Sequence, residues 1–190
     1  MGSNILISGL TGTGKTSLSS YLSQKFGYGY ISGSDIRNEY HNLTKGDRNL
    51  WLNDEKHIWV DNKRIEDVTL ENFIDEKLEF LNMTKQKHVF DVWFLPWYTK
   101  ISSFKILILA PLDTRANRLQ KSVRICHNLQ SSIHQKDIRS YQYALKKYNV
   151  DIIGDTSPFD IVLVNDDYSE SVFLERACEE ISKMINKNEN

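Results

Sequence analysis

The sequence predicts an α/β fold built as one domain over residues 1–190, a five-stranded parallel sheet with helices on both faces. Three observations carry this. Five short strand-like runs alternate with helical patterns: Ile5-Leu6-Ile7, Tyr28 to Ser32, His88 to Asp91, Phe104 to Ala110 and Asp160 to Val164. The fourth run is almost continuously apolar, as expected of a strand covered on both sides. Between the first strand and the first helix stands a glycine-rich turn, Gly9-Leu10-Thr11-Gly12-Thr13-Gly14-Lys15-Thr16.

That turn has the Gly-x-x-x-x-Gly-Lys-Thr spacing of a phosphate-binding loop in its required strand–loop–helix setting. A bare turn before a helix is the alternative, but it needs neither the lysine nor the hydroxyl. Glycine takes the φ angles that curl backbone N–H groups round a polyphosphate. The following helix aims its free N–H groups at the same anion. Gly9, Thr11, Gly12, Thr13, Gly14, Lys15, Thr16 and Ser17 form the expected nucleotide cradle. Lys15 would neutralise phosphate charge, and the Thr16 hydroxyl would ligate Mg²⁺.

Composition narrows the partners. The 190 residues carry a formal charge of −1, with 26% charged and 40% apolar side chains, as in an ordinary soluble domain. There is no general basic footprint for a nucleic acid polymer. No apolar run approaches the roughly 20 residues of a membrane span. The start lacks a secretory pattern, and Leu6 stands where an acylation signal wants Ser or Thr. Cys126 and Cys178 are isolated, with no metal-ligand or disulfide spacing. The expected setting is the cytoplasm, and the expected state a monomer or weak dimer.

The elements follow in order. The first helix runs from about Lys15 to Lys25 and stops at Gly27, a residue suited to the left-handed C-cap. After the second strand, Gly33-Ser34 reads as a loop, and Asp35 either caps the next helix or meets a second ligand. Arg37 is a candidate phosphate clamp or an ordinary solvated arginine. Tyr40 to Asn53 is polar and poorly patterned, and Trp51 and Trp59 read as packing residues. Leu70, Phe73, Ile74, Leu78 and Leu81 then recur every three or four residues, an amphipathic helix. The whole stretch 35–85 is long for a crossover, and such insertions often cover a substrate.

Asp91 closes the third strand at its C-terminal end, where ligands gather in open α/β sheets. It is a candidate to hold Mg²⁺-bound water or orient an acceptor, with a structural turn as the alternative. Among the aromatics from Trp93 to Tyr98, most belong to a core, and Trp93 is a candidate wall for the acceptor. Pro111 ends the fourth strand, and Asp113 or Thr114 can cap the next helix. Arg115 and Arg118 lie three apart and so share a helix face. Lys136, Arg139 and Lys146 are roughly aligned in a helical stretch, either a solvated face or a basic lid over phosphates. The last helix carries Phe173, Ala177, Ile181 and Met184 on one face, with Asp167 and Glu170 as a capping pair.

Six segments carry a family resemblance: Ile7 to Thr16, Tyr30 to Ile36, Phe90 to Trp97, Ala110 to Leu119, Lys147 to Asp151 and Ser157 to Asp160. In this order and spacing they resemble the nucleoside monophosphate kinase group, and most of all its cytidylate kinase-like family in the short archaeal and bacterial form. The resemblance implies a P-loop NTPase fold with sheet order 2-3-1-4-5 and ATP on the phosphate loop. It implies a helical acceptor-binding insertion over 35–85 and a helical lid over 119–148. Asp35 would contact the acceptor and Arg118 would lie by the donor; the residues themselves add Arg37 and Trp93 as candidates on the acceptor side and Arg115 on the donor side. Lys15, Asp91, Arg118 and Arg139 would form the catalytic set. The implied acceptor is CMP or dCMP, giving CDP or dCDP, and this choice of base comes from the resemblance alone.

The chain departs from the family pattern at two places. Asn38 stands where an arginine is usual, with Arg37 one place earlier, and Ser122 replaces a further arginine four residues past Arg118. Recognition has changed, or other basic residues supply the charge, or catalysis is weak. Two other functions stay open: a kinase of similar fold acting on a hydroxyl, with Asp35 or Asp91 as base, and a catalytically silent nucleotide-binding protein.

Overall fold

The five predicted strands form one parallel sheet in the order β2-β3-β1-β4-β5. They are β1 (Ile5–Gly9), β2 (Gly29–Ser32), β3 (His88–Asp91), β4 (Phe104–Leu109) and β5 (Ile161–Val164). The structure is a computed structural model that describes residues 3–40, 68–122, 129–166 and 169–188. Seven helices lie in these ranges: α1 (Lys15–Phe26), α2 (Gly33–Tyr40), α3 (Val68–Thr84), α4 (Leu95–Tyr98), α5 (Leu112–Ser122), α6 (Leu129–Tyr148) and α7 (Glu170–Asn188). Trp51, Trp59 and Asp167, parts of the predicted insertion and lid, and the Ser122 side chain lie outside the described residues.

Strand alternation sends successive side chains to opposite faces. Ile5, Ile7 and Val89 join Ile106 and Ile108 under Leu18 and Leu22 of α1 and Phe173, Ala177 and Ile181 of α7. Leu6 and Phe90 point the other way, into a second core with Ile36, Leu70, Ile74, Leu78 and Leu95. Both cores therefore match the helical periodicities of the sequence. Gly27 ends α1 in the left-handed conformation, φ 64°, as expected. Leu95–Tyr98 forms a helical turn that the aromatic run did not announce, with Pro96 in its first turn, where a missing N–H costs nothing.

The capping alternative for Asp35 and the capping expected of Asp113 or Thr114 give way for one reason: the helices start earlier. α2 begins at Gly33, which puts Asp35 inside the first turn rather than at the cap. There it still favours the positive helix end. α5 begins at Leu112, so Asp113 and Thr114 lie in its first turn. They bind neighbours instead: Thr114 donates to Asp166 at 2.6 Å, and Asp113 accepts from Gln130 at 2.8 Å.

At the far end of α6, Asp75 of α3 accepts from Lys147 Nζ at 2.5 Å, Tyr148 Oη at 2.5 Å and Tyr98 Oη at 3.1 Å. Tyr98 and Tyr148 stack with centroids 5.0 Å apart. Burial first, then the Asp75 charge, pushes both phenols well above their ordinary value. This polar clasp ties the helix between β2 and β3 to the C-terminal turn of α6.

Candidate active site

The turn between β1 and α1 has no room for side chains on its inner curve. Gly9 has φ 150°, and a Cβ there would lie 2.4 Å from the Ile108 carbonyl oxygen. Gly14, φ 101°, would bring a Cβ within 2.8 Å of Asn165 Nδ2. The loop is closed from inside by Thr13, whose hydroxyl donates to the Leu10 carbonyl at 2.9 Å. Among the described residues the buried Thr11 hydroxyl has no hydrogen-bond partner. Lys15 Nζ donates to the same Leu10 carbonyl at 3.0 Å, and the side chain is buried. Burial lowers its pKa to about 8, against the pull of Asp91 and Asp137. Ser17 sits half-buried one residue past Thr16.

Thr16 Oγ1 donates to Asp91 Oδ2 at 2.6 Å, which joins the first turn of α1 to the end of β3. Tyr30 Oη donates to the same oxygen at 3.2 Å. Trp93, two residues on, has its carbonyl held by Ser8 Oγ at 2.6 Å. Its ring lies under two ammonium groups, Lys15 Nζ at 5.8 Å and Lys136 Nζ at 5.2 Å from the centroid. Lys136 is buried, Arg139 half-buried and Lys146 exposed. Arg139 and Lys146, seven residues apart, share a face of the continuous α6, and only the position two turns further along is open to solvent.

The two arginines of α5 differ in what they hold. Arg115 is buried, donating to the Ala110 carbonyl at 3.1 Å, the Thr11 carbonyl at 3.0 Å and Asp137 at 2.7 Å. Its cation braces the loop from behind and ties it to α6. Burial pushes the Asp137 carboxyl up, opposed by Arg115. Arg118 donates to the Asn165 carbonyl at 2.9 Å, to Asn165 Oδ1 at 2.8 Å and to the Asp166 carbonyl at 2.8 Å. Asn165 in turn donates to the Thr13 carbonyl at 2.9 Å, so the β5–α7 turn and the loop share one network.

On the other side, the strand register sets Ser32 beside Asp91 and starts α2 there. Asp35 has a buried Oδ1 with no hydrogen-bond partner among the described residues. Asn38 is fully buried, and Arg37 Nη2 donates to its Oδ1 at 3.3 Å. The arginine at 37 thus turns toward the position that residue 38 occupies.

A family model described as the cytidylate kinase-like family matches residues 4–167. The chain belongs to that family. It is 31% identical over 161 residues to a cytidylate kinase of Saccharolobus islandicus, covering 84% of this chain and 80% of the relative. It is 25% identical over 187 residues to cytidylate kinase 2 of Borrelia garinii subsp. bavariensis, covering 97% and 99%. Among solved structures, a shikimate kinase from Acinetobacter baumannii superposes with TM-score 0.60 at 13% identity, covering 96% of this chain and 94% of that one. That likeness shows the P-loop kinase fold. The chain is therefore a phosphotransferase acting on nucleotides or other small molecules, and its family and fold imply ATP as donor.

The site fits that donor. The glycine cradle, Lys15 and the unpartnered Thr11 hydroxyl suit a polyphosphate. The described residues contain no cluster of three or more His, Cys, Asp or Glu suited to a metal. Mg²⁺ asks for less, one or two side chains plus phosphate oxygens and water, and Thr16 with Asp91 supplies that. The structure also brings Tyr30, Asp137 and Asn165 to the site, which sequence reasoning did not single out. Asn165 directly follows a parallel strand, the same signal that marked Asp91. Tyr30 and Asp137 carry no such signal. Among the described residues no helix is long and apolar enough to cross a membrane.

Proposed function

We propose that this kinase transfers the γ-phosphoryl group of ATP to the phosphate of a nucleoside monophosphate, CMP or dCMP, giving CDP or dCDP. The observation that carries the reading is the pair of ammonium groups, Lys15 and Lys136, over the Trp93 ring beside Asp91. Two cations against one ring suit a reaction in which donor and acceptor both bring phosphate charge. The names of the relatives favour a cytidine nucleotide as acceptor.

Gly9 to Ser17 hold the donor phosphates, and Arg118 with Asn165 borders the donor base. Mg²⁺, held by Thr16 and by Asp91, neutralises phosphate charge when bound. Asp35 orients the acceptor through its unpartnered oxygen, with Trp93 as a wall and Arg37 toward the acceptor phosphate. Lys15, Lys136 and Arg139 stabilise the charge that spreads over the transferring group. The segment 35–85 serves as the acceptor-binding insertion and 119–148 as the lid. The protein acts as a monomer or weak dimer in the cytoplasm.

The test is ADP release with Mg²⁺ across CMP, dCMP, UMP, AMP, GMP, shikimate and gluconate. We expect CMP or dCMP to give the highest kcat/KM. Activity confined to the alcohols would make the chain a hydroxyl kinase. ATP binding without any acceptor-dependent turnover would make it a nucleotide-binding protein.

A further inference from the structure

We propose that Tyr30 is a positioning residue for the divalent metal, fixing the Asp91 carboxylate so that one oxygen stays available to it; this rests on the metal site proposed above. Tyr30 and Asp91 lie on neighbouring strands. The register pairs Ser32 with Asp91, so Tyr30, two residues back on the same face, reaches forward along the sheet. Its hydroxyl donates to Asp91 Oδ2 at 3.2 Å, and Thr16 donates to that same oxygen at 2.6 Å. Both donors converge on Oδ2. Among the described residues, Oδ1 accepts no hydrogen bond.

The geometry has a consequence for Mg²⁺. The terminal torsion of an aspartate is broad and nearly two-fold, so one donor leaves the carboxylate free to swing. A second donor from a different strand fixes its plane and keeps Oδ2 engaged. Mg²⁺ demands near-ideal octahedral geometry and keeps several waters, so it is sensitive to where a carboxylate oxygen points. Partners that orient a ligating carboxylate are worth about 10- to 100-fold in metal affinity or activity. Tyr30 sits in β2, ahead of the helix that carries Asp35, which puts metal positioning and the acceptor side on one continuous segment.

The experiment measures binding rather than turnover. The affinity of a non-hydrolysable ATP analogue is determined by calorimetry in EDTA and again in excess Mg²⁺, for wild type, Tyr30→Phe and Asp91→Asn. The ratio of the two dissociation constants reads the contribution of the metal. We expect Tyr30→Phe to reduce that ratio about ten-fold, with unchanged affinity in EDTA and a near-normal melting temperature. If Tyr30→Phe leaves the ratio unchanged while Asp91→Asn reduces it, the assignment of Tyr30 is wrong and the metal site stands. If Tyr30→Phe weakens binding equally in EDTA, its role is structural and the proposal also fails. If neither variant changes the ratio, Asp91 does not serve the metal, and both readings fall.

Discussion

The Arg115 guanidinium and the Asp137 carboxylate form a buried ion pair, 2.7 Å long, that joins α5 to α6 behind the phosphate loop. The same Nη1 also donates to the Thr11 carbonyl, so one cation couples the position of the loop to that of α6. Removing one partner of such a pair strands the other, at a cost of about 3–5 kcal/mol. Asp137→Asn should therefore lower the melting temperature by roughly 10 °C and raise the KM for ATP. Replacing both, as Arg115→Met with Asp137→Leu, should restore much of the stability but not the ATP affinity, since the Thr11 contact is still missing. Thermal melts and ATP titrations of the three proteins check this; recovery of both properties together would refute the brace.

Lys15 gives a pH dependence with a defined sign. Its pKa is lowered to about 8 by burial, and phosphate binds the charged form. Above pH 8 the neutral amine must first be protonated, so ATP affinity should fall about ten-fold between pH 7 and pH 9. Lys15→Arg stays charged and should show no inflection there. The linked stability effect runs the other way. Between about 8 and the ordinary value of 10.5 the unfolded chain binds more protons, so this group makes stability rise with pH. ATP affinity that is flat from pH 7 to 9 would contradict the assignment.

The sheet and the conformation of the glycine loop were legible because their signals are local. Apolar runs mark β1, β3 and β4, and the glycine spacing fixes the loop whatever lies around it. Asp91 stood out because a parallel strand's C-terminal end is where ligands collect, and the structure sets it against Thr16. Directions were harder. Arg115 and Arg118 share a helix face in any account of spacing, yet Arg115 turns under the loop and Arg118 toward Asn165, a choice made by tertiary packing. Of the two readings left open for Asp35, the cap rested on Gly33-Ser34 looking like a loop, whereas α2 already includes both. The contact between Tyr30 and Asp91 crosses strands 61 residues apart in sequence, and no local pattern encodes it.

Lys136 and Arg139 occupy successive turns of α6 but differ in setting. Lys136 is buried over Trp93, and Arg139 is only half-buried. Lys136→Met should lower kcat by about 10²-fold with little loss of stability, because an apolar chain suits the buried site. Arg139→Met should cost less. Steady-state kinetics with saturating ATP separates them, and the reverse ranking would move the catalytic cation to Arg139.

Asp35→Asn keeps the shape and removes the charge. With its Oδ1 buried and unpartnered, the change should raise the KM of the acceptor several-fold and leave that of ATP near its wild-type value. A matched rise in both constants would mean that Asp35 supports the fold of the site and does not touch the acceptor.

The most direct measurement follows the phosphorus. Wild-type protein is incubated with ATP, Mg²⁺ and CMP, and the products are read by ³¹P NMR, with Lys15→Met as control. We expect the CMP monophosphate resonance to disappear in step with the ATP β-phosphate resonance as diphosphate signals grow, without inorganic phosphate, and about 10²- to 10³-fold more slowly in the variant. ATP consumed to ADP and inorganic phosphate, with CMP unchanged, would contradict it.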